Sequence, residues 1–272
     1  MAETTEIQPN YLTSQQATDL MRILRDVDSV EIKMTVPMEQ QQGTVLGLPL
    51  DPVEAEPRHI FFFDTPDLAL NKAGIAVRAR RIRGGTGDTV VKLRPVEPAD
   101  LPDSVRRSGS FKIEIDVAPG GFVCSGSMKG KATGDEVRDV ATGKRRLSKI
   151  LTKEQRAFYR AHAPSDIPLD SLLVLGPTLA LKAAFAPKSL NRKVVVEVWI
   201  YHDGTHLLEL STKSTPLEGV MVGAEFRAYL ARHGVSVGGN QQAKTRTALE
   251  FYAARVRKQD DDRTRRAAEL GR

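Results

Sequence analysis

The sequence is poor in cysteine and in long apolar segments, and both shortages limit what the protein can be. Cys124 is the single cysteine among 272 residues, so an internal disulfide and a cysteine-based metal cluster are excluded. No run of about 18 apolar residues is present, so no membrane span is expected. The first residues are polar and acidic and lack the basic start and apolar stretch of a signal peptide. We therefore expect a cytoplasmic location and no membrane partner.

Common catalytic and nucleotide-binding motifs are also missing. Gly143-Lys144 is followed by Arg145 and has no glycine at the upstream P-loop position, so there is no Walker motif. No Ser-His-Asp or Cys-His arrangement is evident, which argues against a covalent intermediate. His202 and His206 flank a predicted turn and lack a third zinc ligand, so we interpret them as exposed turn residues.

What the chain has in quantity is charge. It contains 40 Lys and Arg against 34 Asp and Glu, a formal net charge of +6, with 40% hydrophobic and 27% charged residues. This composition is ordinary for a globular protein that buries one large core or two modest ones. The positive excess favours an anionic ligand.

Charged residues recur on one face of successive predicted strands. In residues 74–83, the alternation of a β-strand places Arg78 and Arg80 on one side and aliphatic side chains on the other. The same alternation is found in residues 29–36, 89–94, 111–117, 172–185, 193–201 and the strand after residue 204. A barrel built from such strands has a charged lumen. That lumen must be wet or filled by a ligand of opposite charge, unless the charges form an internal salt-bridge network.

The remaining segments predict turns and helices. Asp203-Gly204 is typical of a type I′ hairpin turn. Residues 83–88 join two strands, so they predict a hairpin turn and not a phosphate-binding loop. We interpret the glycine-rich stretch after Pro119 as a joint. Apolar spacing predicts helices over residues 13–26, 135–162, 216–233 and 242–257.

Several motifs together resemble the CYTH superfamily, the triphosphate tunnel metalloenzymes. FFDTPDLAL and GIAVRARR are similar to its second and third strands, and VEIKMTVP, VVKLRP, FKIEIDV, KVVVEVWIYHDG and HLLELSTK agree in order. The superfamily includes inorganic triphosphatases, thiamine triphosphatases and one class of adenylyl cyclase. The resemblance implies an α+β fold, with a closed antiparallel eight-stranded β tunnel, flanking helices and a helical insertion.

This resemblance also implies a domain organisation. We expect an N-terminal lead and short helix over residues 1–28, with residues 1–10 disordered. The tunnel domain is expected over residues 29–255, with the helical insertion at about 135–165, and a charged tail over residues 256–272.

The sequence departs from the superfamily pattern at two matching places. The first-strand signature E-x-E-x-K corresponds here to Ser29, Glu31 and Lys33, and the E-x-E pair of the last hairpin corresponds to Glu209 and Ser211. A serine hydroxyl is a poor replacement for a carboxylate at a hard cation such as Mg²⁺. The resemblance therefore implies a degenerate metal site.

The resemblance assigns roles to the inward-facing residues. Lys33 and Glu31 are expected to be catalytic. The expected binders of phosphate are Arg78, Arg80, Lys92, Arg94, Lys182 and Lys213. The expected ligands of Mg²⁺ or Mn²⁺ are Glu31, Glu209, Glu114, Asp116 and Glu197. Lys112 is predicted on the same inner face.

The sequence is compatible with three functions. The first is a metal-dependent triphosphatase acting on a small anionic substrate, with adenylyl cyclase as a lesser variant because nothing identifies an adenine pocket. The second is a module that binds phosphate or polyphosphate without cleaving it. The third is a nucleic-acid binder, which the small number of aromatic residues disfavours. Its basic helical patch would consist of Lys144, Arg145, Arg146, Lys149 and Lys153. The sequence does not select the triphosphate or the oligomeric state.

Overall fold

A closed barrel of nine strands forms the centre of the protein, and the computed structural model describes residues 13–235 and 244–270. The strands are Ser29–Val36 (β1), Glu56–Asp64 (β2), Ile75–Ile82 (β3), Thr86–Leu93 (β4), Phe111–Ala118 (β5), Gly121–Thr133 (β6), Leu173–Phe185 (β7), Val194–Ile200 (β8) and His206–Ser214 (β9). Their order around the barrel is β1-β5-β6-β4-β3-β2-β7-β8-β9. The β1 and β5 strands are parallel, and all other neighbours are antiparallel. The expected closed tunnel is confirmed, but the expectation of eight strands, all antiparallel, is wrong.

The additional strand is β6, which lies where the sequence predicted a glycine-rich joint. Its glycines serve close packing instead of a turn. A Cβ atom at Gly126 would lie 2.7 Å from the ring of Phe111, and one at Gly130 would lie 2.5 Å from Oε1 of Gln155. Any larger residue at these positions would push away the side chains that cover the strand, so glycine here does not signal a loop.

Eight helices surround the barrel in the described part of the chain. They are Ser14–Ile23 (α1), Gln41–Gly47 (α2), Ala69–Lys72 (α3), Asp103–Arg106 (α4), Gly134–Ala141 (α5), Lys153–His162 (α6), Gly219–Arg232 (α7) and Lys244–Leu270 (α8). The predicted helical segments are confirmed in the described residues, and the segment 135–162 contains two helices, α5 and α6. Residues 242 and 243 of the last predicted segment lie outside the described residues. The predicted disorder of residues 1–10 lies outside the described residues. No helix among those described is long and apolar enough to cross a membrane.

The helical insertion is attached to the outside of the barrel through one buried amide. Gln155 of α6 is fully buried and its Nε2 donates to the carbonyl oxygens of Thr89 (3.0 Å) and Met128 (3.1 Å). The hydroxyl of Thr89 donates to Gln155 Oε1 at 2.9 Å. Because these bonds join α6 to both β4 and β6, the insertion is held as part of the barrel wall.

The turn between β8 and β9 differs in type from the prediction. The hairpin is present, but the N–H of Tyr201 donates to the carbonyl of Thr205, so the loop is longer than a two-residue type I′ turn. Gly204 has a φ of 85°, and Asp203 does not share this left-handed conformation, which a type I′ turn requires at both central residues. His202 and His206 are exposed there, as predicted.

An apolar cluster occupies part of the barrel interior. Phe62 lies opposite Arg78, and Ile60 lies opposite Arg80, so both apolar side chains are on the same inner face as the arginines. They form a buried cluster with Leu175, Ala180, Trp199, Tyr201 and Leu207 of the barrel and with Ala248, Leu249 and Tyr252 of α8. Helix α8 therefore covers the apolar sector of the barrel, and the charged residues line the rest.

Candidate anion-binding site in the barrel

The alternation of side chains in β1 places its charged residues inside the barrel. Val30, Ile32, Met34 and Val36 are buried in the outer core, and the residues between them face the lumen. The strand register then sets the neighbours of these lumen residues across the barrel. Glu31 lies opposite Asp116 of β5 and opposite Lys213 of β9.

The first charged group, which we call the Asp116 cluster, consists of Glu31, Lys33, Lys92, Arg94 and Asp116. Lys33 Nζ lies 3.1 Å from Glu31 Oε2 and 2.8 Å from Asp116 Oδ1. Lys92 Nζ lies 3.3 Å from Asp116 Oδ2, which Arg94 also contacts. Burial, reinforced by neighbouring Arg94 and Lys33, holds the pKa of Lys92 well below its ordinary value. Three cations thus converge on one carboxylate that is 7% exposed.

The second group, which we call the arginine cluster, consists of Arg58, Arg78 and Arg80. Arg80 makes a bidentate contact with Asp88, with Nε at 2.9 Å from Oδ1 and Nη2 at 2.5 Å from Oδ2. Arg58 contacts Glu56 through Nε at 2.7 Å and Nη2 at 2.6 Å. Two of the three guanidinium groups therefore already have a carboxylate partner.

Arg78 is the member of the arginine cluster without such a partner. Its Nε is sealed from solvent and donates no hydrogen bond, and no carboxylate within the described ranges forms an ion pair with it. Burial, followed by repulsion from Arg80, lowers the pKa of Arg78 to about 10. The charges of Asp88 and Glu197 favour the charged form of Arg78 but offset only part of the cost of its burial, and an anionic ligand removes the rest.

A third group of charges lies towards the end of the barrel at which β1 begins. Lys213 contacts Glu114, and the hydroxyl of Ser29 donates to Glu114 Oε1 at 3.3 Å. Burial opposes ionisation of Glu114, but the hydrogen bond and charge of Lys213 outweigh it and lower the pKa of Glu114 to about 2. Lys112 lies further out, half exposed and 3.3 Å from Asp28. It is therefore a rim residue and not a lumen residue, which corrects its predicted position.

Comparison with solved structures identifies the fold. A candidate adenylate cyclase from Bacillus halodurans is similar with a TM-score of 0.57 and 15% identity, covering 81% of this chain and 97% of that chain. A candidate adenylyl cyclase from Hippeastrum, for which a dominant triphosphatase activity is described, is similar with a TM-score of 0.55 and 14% identity, covering 78% and 91%. The chain has a CYTH-like fold. No protein-family model matches the sequence, and no curated protein matches it.

The CYTH-like tunnel brings most of the predicted site residues together. Lys33, Glu31, Lys92, Arg94 and Asp116 form one connected cluster. Lys182 lies 3.8 Å from Glu197, which also accepts a hydrogen bond from the indole of Trp199 at 3.2 Å. The roles assigned to these residues stay predictions, because a likeness at 14–15% identity concerns the fold.

Sequence reasoning missed two residues of the CYTH-like tunnel. Asp88 was placed in the turn before β4, although it precedes Val90 by two residues and thus shares the inner face with it. Arg58 lies before the FFDTPDLAL motif that was assigned to the second strand, although it precedes Ile60 by two residues in β2. In both cases the alternating signal was present, and the assumed strand start was too late.

The tunnel carboxylates do not fit a metal site as they are arranged. In the described ranges, no three Asp, Glu, His or Cys side chains converge as ligands. Glu31 and Asp116 share the ammonium of Lys33, and Glu114 contacts Lys213. We therefore assign no step to Mg²⁺ or Mn²⁺, and the ligand roles predicted for the five carboxylates stay predictions.

Proposed function

We propose that the tunnel binds the phosphate groups of a small anionic ligand, either a triphosphate or a longer polyphosphate. The observation that carries this proposal is the unpaired guanidinium of Arg78 inside a lumen lined with further cations. Phosphate oxygens accept bidentate hydrogen bonds from arginine, and lysine supplies point charges. A phosphate group therefore supplies the partner that Arg78 lacks.

The arrangement of the cations suits a ligand with several phosphates. Arg78 lies opposite Val90, and Lys92 is two residues further along β4, so Arg78 and Lys92 are diagonal neighbours on the inner face. The charge of Arg78 contributes to the lowered pKa of Lys92, which supports their proximity. One phosphate at Arg78 and the next at Lys92 would connect the arginine cluster with the Asp116 cluster.

The paired cations keep their carboxylate partners and contribute through their remaining donors. Arg80 is fixed by Asp88 in a bidentate contact, which orients its guanidinium towards the lumen without occupying its third nitrogen. Arg94 has its Nε sealed from solvent without a hydrogen-bond partner. An incoming phosphate gains these donors, and the carboxylates keep the donors oriented before the ligand arrives.

Hydrolysis with a divalent metal is the second candidate function. It is favoured by one observation, that the carboxylate residues Glu31 and Asp116 lie opposite each other in the β1–β5 pair. The candidate substrates are inorganic triphosphate and a nucleoside or thiamine triphosphate. We rank it second because the described residues do not fit a metal site.

Calorimetric titration with tripolyphosphate tests the proposal, with orthophosphate as the size control. Arg78→Met should abolish most binding. Arg81→Met is the matched control, because Arg81 is an arginine of the same strand β3 on its outer face, beside Gly134 of α5. Wild-type affinity in Arg78→Met, or equal loss in both variants, would refute a tunnel site.

A parallel assay separates binding from turnover. Release of phosphate from tripolyphosphate and formation of cyclic AMP from ATP are measured with Mg²⁺ and with Mn²⁺. Phosphate release that disappears in Glu31→Gln would establish the second candidate. Tripolyphosphate binding without release of phosphate would support the binding function and exclude hydrolysis of tripolyphosphate.

A further inference from the structure

Resting on the proposed function, we infer that the tunnel holds its phosphate ligand without a divalent metal, because a lysine ammonium group occupies the place between Glu31 and Asp116. Lys33 is the residue that decides this. Its ammonium lies 3.1 Å from Glu31 Oε2 and 2.8 Å from Asp116 Oδ1. The ammonium of Lys33 is therefore an internal cation that both carboxylates contact.

A metal ion and the Lys33 ammonium cannot share this position. Carboxylate oxygens bind Mg²⁺ at about 2.0–2.1 Å, so a metal held by Glu31 and Asp116 would have to displace the ammonium from both. Displacement would leave Lys33 next to a dication and within the field of Lys92 and Arg94, which contact the same aspartate. Like charges at such separations repel strongly in a partly desolvated tunnel.

The two serines also argue against a metal site. Ser211 lies opposite Lys33 in the β1–β9 pair, and Ser29 lies opposite Glu114 in the β1–β5 pair. The hydroxyl of Ser29 donates to Glu114 instead of adding a carboxylate to the cluster. The Asp116 cluster therefore contains three cations and two carboxylates, whereas a hard dication prefers a site with an excess of oxygen ligands.

The consequence for binding concerns the charge of the ligand. If fixed lysines and arginines neutralise the phosphates, the preferred form of the ligand is the metal-free anion. Mg²⁺ in solution then competes with the protein for the ligand, because the magnesium complex of triphosphate carries less negative charge. Chelation of divalent ions should preserve the affinity or increase it.

The test is a calorimetric titration of the full-length protein with tripolyphosphate in EDTA and in excess Mg²⁺. We expect the dissociation constant in EDTA to be equal to or smaller than that in Mg²⁺. A dissociation constant at least tenfold larger in EDTA overturns this inference and leaves the proposed function intact. Absence of binding in both buffers overturns the proposed function and the inference with it.

A second measurement uses Mn²⁺ alone, followed by the loss of its free electron paramagnetic resonance signal. The wild-type protein and the Glu31→Gln variant should bind the same amount of Mn²⁺, because we expect no metal site at Glu31. The triple variant Ser29→Glu, Lys33→Gln, Ser211→Glu adds two carboxylates and removes the competing ammonium, so we expect at least a tenfold gain in Mn²⁺ affinity. A wild-type Mn²⁺ site that Glu31→Gln removes overturns the inference, whether or not the triple variant folds.

Discussion

Replacing Arg78 by methionine should make the protein more stable and abolish most of its ligand binding. Burial lowers the pKa of Arg78 to about 10 against the opposing charges of Asp88 and Glu197, and its Nε donates no hydrogen bond. This pKa lies more than two units below that of an ordinary arginine. At about 1.4 kcal/mol per unit, the charged form costs the folded state about 3 kcal/mol. Methionine fills similar space without the charge, so the free energy of unfolding should rise by about 2–3 kcal/mol.

The same substitution should weaken tripolyphosphate binding. A guanidinium that makes two charge-assisted hydrogen bonds to phosphate contributes about 3 kcal/mol, which corresponds to an increase of about 100-fold in the dissociation constant. Stability and affinity should therefore change in opposite directions at one residue. This is the pattern of a residue kept for a ligand at the expense of the empty protein.

Urea denaturation without ligand and calorimetric titration with tripolyphosphate measure the two effects. Arg81→Met should change neither by more than about 0.5 kcal/mol, because Arg81 lies on the outer face of the same strand. A less stable Arg78→Met protein would mean that Arg78 has a stabilising partner in the empty protein. Such a result would remove the reason for expecting an anion at this position.

Three further predictions concern protons and packing. Binding of phosphate should raise the pKa of Lys92, which burial lowers in the empty protein. Tripolyphosphate binding should therefore weaken as pH rises above this lowered pKa, and calorimetric titration over a pH series should show a smaller loss for Lys92→Arg, whose charge persists. Glu114, with a pKa lowered to about 2, should contribute about 3 kcal/mol of stability above pH 4.5 that is lost as pH falls towards 2. In urea denaturation, the free energy of unfolding should differ less between pH 7 and pH 3 for Glu114→Gln than for the wild-type protein. Gln155→Leu should lower the free energy of unfolding by about 2–4 kcal/mol, because it leaves the carbonyls of Thr89 and Met128 without their amide donor. A change below about 0.5 kcal/mol in urea denaturation would show that the insertion is not held by this amide.

Local patterns in the sequence predicted most of the charged residues that face the lumen, with Lys112 as an error and Arg58 and Asp88 as omissions. A β-strand turns its side chains to opposite faces with a period of two, so Glu31 and Lys33 had to share a face, as did Arg78 and Arg80. Helices α1, α5 and α6 begin at threonine caps with a Gln or Glu three residues later, a signal that is also local. The closed tunnel was implied by the resemblance to the CYTH superfamily, and the repetition of such strands agreed with it.

Local patterns were misleading where long-range packing decided the conformation. The glycines of β6 resemble a joint when only their neighbours are considered. They are required by Phe111 and by Gln155, which approach the strand from elsewhere in the chain. The number of strands was therefore wrong by one, because the signal for β6 is a contact and not a pattern.

By itself, the sequence determined a charged, anion-suited barrel interior, because the alternation of side chains depends only on neighbouring residues. Only the tertiary structure decided how those charges are paired. Lys33 reaches Asp116, and Arg80 reaches Asp88 while Arg78 has no comparable partner, because strand register joins residues that are distant in sequence. Ion pairing depends on distances of a few ångströms across that register. This is why the residue types predicted an anion site, and why the geometry was needed to single out Arg78 and Lys33.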